Sequence, residues 1–227
     1  MPIIVDYSAE VRPIPLASML RRAGLLLQDE EHVRWTVPEM IEWINEGVYA
    51  IIRAMPAAGA RRTAFTLRPG ARQVMHGSDI QLLDVVCNLG AEGAAPGRAI
   101  RKIDRWLLDS SNPDWQGMPR SSTIRHYCYD DRSPTVFYVY PPAEQGTRVE
   151  MIRATLPDDV IAIDENIALS IEYADSLLNY LMFRCLSKDN EFANGNVAAA
   201  YFNAYTTSLT LGDTGEQSVS PTLKVPA

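Results

Sequence analysis

The chain has 227 residues, 47% hydrophobic and 22% charged, which is the balance of a folded protein long enough to bury a core. Its net charge of −7 disfavours general adhesion to nucleic acid or to anionic membranes. No apolar run approaches the ~20 residues that span a bilayer, and three widely spaced cysteines without a CxxC pair point to reduced thiols and not to a disulfide framework.

The N-terminus, MPIIVDYSAEVRP, has no basic leader followed by an apolar stretch, so no secretory signal is expected. Residues 1–13 read as an extended arm. A first helix is predicted from Pro15 to Leu27, with Leu16, Met19, Leu20, Ala23, Leu26 and Leu27 on its apolar side. Gln28, Asp29, Glu30 and Glu31 then form a polar link, read as a solvated helix end. The strongest helical signal runs from Arg34 to Pro56. Val37, Met40, Ile41, Ile44, Val48, Ile51, Ile52 and Met55 recur at spacings of three and four and share one face. Thr36 and Glu39 stand at capping-box spacing, Pro38 lies in the first turn, and Pro56 stops the helix. Trp43 and Tyr49 flank its apolar face.

After Pro56 the pattern turns to strands. Arg62 to Leu67 reads as a strand, Arg68-Pro69-Gly70 as a turn, and Ile80 to Asn88 as an apolar strand. Gly90 to Gly97 is a small-residue loop, Ala99 to Asp104 a further strand, and Trp106 to Ser110 a turn or short helix. Ile124 to Tyr129 and Thr135 to Tyr140 are rich in aromatic and β-branched residues. The turn residues between them, Asp130 to Pro134, suit a hairpin. Pro141-Pro142 closes that pair, and Thr147 to Thr155 is one more strand.

Helical periodicity returns after Pro157. Ile167 to Lys188 is predicted as one long helix with a stripe of Ile171, Ala174, Leu178, Leu181 and Cys185. Val197 to Leu211 gives a last helix, and from Gly212 onward the periodicity is lost. The expected fold is α+β: mainly a helical bundle of two N-terminal and two C-terminal helices, with a β-rich insertion and a C-terminal arm. The expected divisions are 1–60 for the arm and first bundle helices, 61–156 for the insertion, 157–211 for the last bundle helices and 212–227 for the arm.

The chemistry-bearing residues do not converge on a reaction. His126 and Cys128 would share one face of a strand. A metal site needs three or four ligands, however, and no second pair stands at ligand spacing. The reading is no metal and no cofactor. Gly90, Gly93 and Gly97 lack the Lys-Ser/Thr of a phosphate loop, and no GxSxG elbow occurs. Asp130-Asp131 and Asp158-Asp159 have the pairing of a glycosidase acid and base, but both lie in turns, where carboxylates commonly solvate or cap the backbone. Arg61-Arg62 and Arg98, Arg101, Lys102 and Arg105 are the main basic clusters. They are short for a nucleic-acid stripe and read as a solvated or interface face.

Several stretches taken together resemble phage head–tail adaptor proteins, also described as head completion or tail tubular A-like connectors. They are RWTVPEMIEWINEGVYAIIRAMP (34–56), LLDVVCNLG (82–90) with AIRKID (99–104), NPDW (112–115), HYCYDDRSPTVFYVYPP (126–142) and EYADSLLNYLMFRCLSKDNEFANG (172–195). The resemblance implies a structural, non-enzymatic virion protein. Such a protein would form a ring of about twelve copies between the portal protein and the tail nozzle or tail tubular protein, extending the channel through which genomic DNA passes without specific binding. It implies assembly in the host cytoplasm, residence at the capsid vertex, and no membrane. In such proteins the C-terminal segment reaches into the portal, which here makes Val219, Leu223 and Val225 the expected portal-docking anchors. Trp43 and Tyr49 become the expected subunit-interface residues. A tail-associated glycan hydrolase and a small DNA-binding packaging factor are the alternative readings.

Overall fold

The computed structural model of the chain describes residues 12–90, 95–130, 132–188 and 195–219, with side chains in the last stretch to residue 210. Among the described residues two compact units emerge, one formed by Gly59–Pro157 and the other by residues 12–58 and those after Pro157.

The flanking unit begins with strand β1 (Pro13–Pro15) and helix α1 (Leu16–Leu27). Helix α1 buries Leu16, Met19, Leu20, Ala23, Gly24 and Leu27, and leaves Leu25 and Leu26 about half exposed. It ends at Gln28, whose left-handed backbone (φ 55°) turns its N–H back onto the Gly24 and Leu25 carbonyls. Helix α2 (Val37–Ala54) buries Met40, Ile41, Trp43, Ile44, Gly47, Val48, Ile51 and Ile52, the face its periodicity predicts. The expected capping box does not form. Thr36 is the N-cap residue, but its side chain makes no capping hydrogen bond, and Glu39 instead reaches Lys188 at 2.8 Å. The link before the helix is held by Asp29, which is buried (8% exposed) and not the solvated acid its neighbours suggest. Its carboxylate accepts the backbone N–H groups of Val33 (3.0 Å), Arg34 (2.9 Å) and Trp35 (3.1 Å).

The inserted unit holds strands β2 (Ala60–Thr66), β3 (Gly70–Val74), β4 (Asp79–Leu89), β5 (Pro96–Ala99) and β6 (Arg101–Lys102). Helix α3 (Arg105–Ser111) follows, and then strands β7 (His126–Tyr129), β8 (Val136–Ala143) and β9 (Arg148–Thr155). Two four-stranded sheets result, ordered β2-β9-β4-β5 and β3-β8-β7-β6, with every pairing antiparallel except β6 on β7. Their inner faces share one core. Phe65, Leu82, Val85, Val149 and Met151 come from the first sheet, and Tyr127, Phe137, Val139 and Ala143 from the second. Burial of each large apolar side chain contributes roughly 1.5–3 kcal/mol. The outer face of the second sheet is covered by α3 and the short turn after it. Trp115, fully buried there, packs with Ala71, Leu108 and Cys128 and donates its Nε1–H to Asp109 at 2.8 Å.

The stretch read as one strand from Ala99 to Asp104 changes sheets. β5 pairs with β4, Ile100 buries between the sheets with its N–H on the Val86 carbonyl, and β6 pairs with β7. Asn88 seals this crossing, donating to the Arg98 and Ile124 carbonyls (both 2.8 Å) and accepting from the Ile124 N–H (2.7 Å). Gly97 lets the strands approach closely here, because a Cβ there would lie 3.0 Å from the Asn88 carbonyl oxygen and press on the backbone. Strand β8 continues through Pro141-Pro142, where the expected pattern stops. The missing N–H groups cost little there because the register with β3 is irregular, and the Pro142 carbonyl still accepts from Ser121.

The flanking unit resumes with strand β10 (Asn166–Ser170), which pairs antiparallel with β1, then helices α4 (Ala174–Ser187) and α5 (Gly195–Val219). The predicted helix from Ile167 thus starts seven residues late. Ile167 and Leu169 bury in the alternating pattern of a strand, and that alternation overlaps a helical spacing to Ile171 and Ala174. Helix α4 packs against α1, α2 and α5, so it is the hub of this unit and α2 one of its spokes.

The expectation of a mainly helical bundle is therefore corrected. The described residues form ten strands in three sheets beside five α-helices, a strand-rich α+β fold. The inserted strands build a core of their own, and a third sheet lies within the helical unit. The expected arm from Gly212 is also revised, since α5 continues to Val219; residues 220–227 lie outside the described residues.

Candidate functional site

Trp43 sits on α2 between two ion pairs that lash α2 to α4. Glu39 and Glu46, two turns apart on α2, meet Lys188, the residue that caps the end of α4, and Arg184 in its last turn. The pairs run in opposite order along the two segments, as antiparallel packing requires. The Arg184 guanidinium also lies 5.8 Å from the centre of the Trp43 ring, and Trp43 is only 9% exposed. Tyr49, one and a half turns further, donates its hydroxyl to Asp159 at 2.5 Å. That hydrogen bond, together with burial and the nearby carboxylates, raises the Tyr49 pKa. Both residues named from sequence as interface candidates thus have intramolecular partners. Val219 is the last described residue of α5, and Leu223 and Val225 lie outside the described residues.

The segment after Pro157 is fixed on α2 by a two-way clamp. Asn45 donates to the Val160 carbonyl (2.9 Å) and accepts from the Val160 N–H (3.1 Å), while Glu165 accepts from the Ile161 N–H (3.0 Å). Pinning Val160 turns its neighbours outward, and Ile161 is 82% and Ile163 51% exposed. With Val37, Pro38 and Ile41 they line an open groove of about 360 Å³ that also carries Glu42 and Asp159. Asp158 and Asp164 stand exposed beside it. Sequence reading missed this groove, because residues 157–166 show no periodicity of either kind.

The inserted unit presents a second unusual surface where the chain changes sheets. Arg98, Arg101, Lys102 and Arg105 are all exposed. Lys102 lies 5.5 Å from the centre of the Tyr129 ring, and Arg105 lies 4.9 Å from that of Tyr138 while pairing with Asp109 at 3.3 Å. Asp104 caps α3 through the Trp106 N–H. On α3, Leu108 is buried but Trp106 is 73% and Leu107 49% exposed.

The other candidates separate. His126 stacks on Tyr140, and Cys128 is buried against Trp115. Burial pushes the Cys128 thiol up to about 11 and the Cys185 thiol to about 12, and it raises Cys87 as well, so these thiols are protonated at neutral pH. Among the described residues no three His, Cys, Asp or Glu side chains are grouped to hold a metal ion. Asp130 accepts the Arg132 N–H in its turn, Asp159 holds Tyr49, and Asp131 lies outside the described residues. Among the described residues no helix is long and apolar enough to cross a membrane.

Two surfaces thus combine exposed apolar side chains with charge. One is an apolar groove with acidic neighbours and the other an apolar pair with basic ones. Comparison with known proteins agrees with the resemblance drawn from sequence: the model of the family described as SU10 adaptor protein matches residues 14–226. No curated protein matches the chain.

Proposed function

Because the chain belongs to the SU10 adaptor protein family, a phage head–tail adaptor family, and is a structural virion component by that membership, we propose that it forms the ring between portal and tail nozzle and extends the DNA channel. The observation that carries this reading is the length of the family match, which leaves only the first thirteen residues and the last one uncovered. In this reading about twelve copies assemble at the capsid vertex after synthesis in the host cytoplasm, and the protein is not an enzyme. DNA passes through the lumen without specific binding, in keeping with the net charge of −7. The C-terminal segment, with Val219, Leu223 and Val225 as apolar anchors, docks to the portal.

Negative-stain microscopy of the full chain mixed with portal protein tests the reading. Twelvefold rings seated on the portal are the expected image, and a chain that stays monomeric and never binds portal overturns it. In the same mixture, a chain truncated after residue 218 keeps its fold and loses portal attachment. Unchanged attachment removes the anchors from the proposal.

A further inference from the structure

The two units carry opposite charge. Residues 59–157 contain 13 of the 21 Lys and Arg but only 10 of the 28 Asp and Glu, which leaves this unit at +3 and the rest of the chain at −10. Each unit carries an exposed apolar pair among charges of that unit's own sign. Trp106 and Leu107 stand out from α3, and the exposed Arg98, Arg101, Lys102 and Arg105 lie in the stretch of chain that leads into it. Ile161 and Ile163 stand out over the groove that Glu42 and Asp159 line, with Asp158 and Asp164 alongside and no Lys or Arg among the lining residues.

We propose that the Trp106–Leu107 edge of one copy docks into the Ile161–Ile163 groove of a second copy, with the cations around the first surface facing the acids around the second. An apolar centre inside a charged rim is the usual layout of a protein–protein contact, and Trp is enriched among the residues that dominate binding energy. Opposite rims speed encounter and set orientation, while the apolar centre supplies the holding energy. Because the two surfaces differ, each copy offers one and receives the other. Such head-to-tail contacts close into a ring when the rotation between neighbours permits. The proposal rests on the ring reading above and adds to it where neighbours touch. A duplex phosphate backbone is a poorer occupant of the basic edge. Asp104 and Asp109 interrupt the cations there, and DNA would leave the acid-lined groove without a partner.

The test exchanges the charges. In one full-length variant Arg98→Glu and Arg101→Glu reverse the basic edge; in another Glu42→Arg and Asp164→Arg reverse the groove rim. All four positions are exposed, and Asp159 is spared because it holds Tyr49. Each variant alone repels itself and loses self-association by sedimentation, and an equimolar mixture regains it, because reversed edge then meets reversed groove. In the otherwise unchanged protein, Leu107→Cys on one chain and Ile161→Cys on another form an intermolecular disulfide under mild oxidation; the native thiols are all buried. If both charge variants still form rings on the portal, the ring reading stands and this contact falls. Failure of the mixture to recover also overturns it. So does loss of duplex DNA binding on reversal of the edge while self-association is unchanged. If the native chain forms no ring and the two cysteine variants no cross-link, both readings fall.

Discussion

Asp29 is one residue that holds several others. The link between α1 and α2 leaves the N–H groups of Val33, Arg34 and Trp35 without helical partners, and a single buried carboxylate satisfies all three. Burial by itself would raise the pKa of this acid, but the three N–H groups and nearby His32 outweigh burial and lower it. A lowered folded-state pKa contributes stability that is present above the unfolded value and is lost as pH falls through the folded one. Stability of the native protein should therefore fall on the acid side below about pH 4, and Asp29→Asn should flatten that fall while lowering stability at neutral pH by about 1–3 kcal/mol. Urea melts of both proteins across pH 3 to 7 check this, and identical pH profiles would show that Asp29 is not linked to folding. From sequence, Asp29 is one acid in a run of three and nothing local marks it out. Only the return of the chain at Val33 to Trp35 gives it a role.

At the scale of elements, the packing of α2 on α4 depends on a residue with no side chain. A Cβ at Gly47 would lie 2.7 Å from both Leu177 Cδ1 and Tyr180 Cδ1, so the two helices can approach closely only with glycine there. The Tyr180 ring also packs edge-on against Phe183 and Tyr205 and cannot swing aside cheaply. Gly47→Val should cost about 2 kcal/mol or more by overpacking, even after the gain in helix propensity. The loss would be read as a lower denaturation midpoint, and a midpoint equal to the native one would show that the helices can part without cost. The apolar face of α2 is legible because eight side chains repeat at helical spacing. The role of Gly47 is not, since a glycine in a helix reads equally well as a flaw. The start of α4 was misplaced for a related reason: Ile167 to Ala174 fits two periods, and pairing of β10 with β1 decides between them.

In the whole molecule, the inserted unit leaves and rejoins the chain at neighbouring points. Ala60 on β2 pairs with Ala154 on β9, so its two ends lie side by side on adjacent strands. With its own two-sheet core and the satisfied Asn88 at its seam, the fragment 59–157 should fold alone and melt cooperatively, as followed by circular dichroism and dispersed amide resonances. A disordered fragment would mean that its core is completed only by the rest of the chain. The opposite charges of the two units are countable from sequence once the unit boundaries are known, but the surfaces they surround are not. Trp106 and Leu107 sit in a segment that reads as an ordinary short helix. Ile161 and Ile163 become a groove only because Asn45, more than a hundred residues earlier, clamps Val160.

The sequence by itself determined the face of α2, that of α1 apart from Leu26, the hairpin of β7 and β8, and the adaptor family, because those rest on local periodicity, turn chemistry and the order of several stretches along the chain. Tertiary structure decided what depends on contacts distant in sequence. It set the balance between helix and strand, since a short alternating run becomes a strand only when a partner strand accepts it. It made α4 the hub, because position in a bundle depends on what surrounds a helix and not on how apolar the helix is. It also decided which apolar side chains stayed in solvent, because exposure is a property of the neighbours that never arrive.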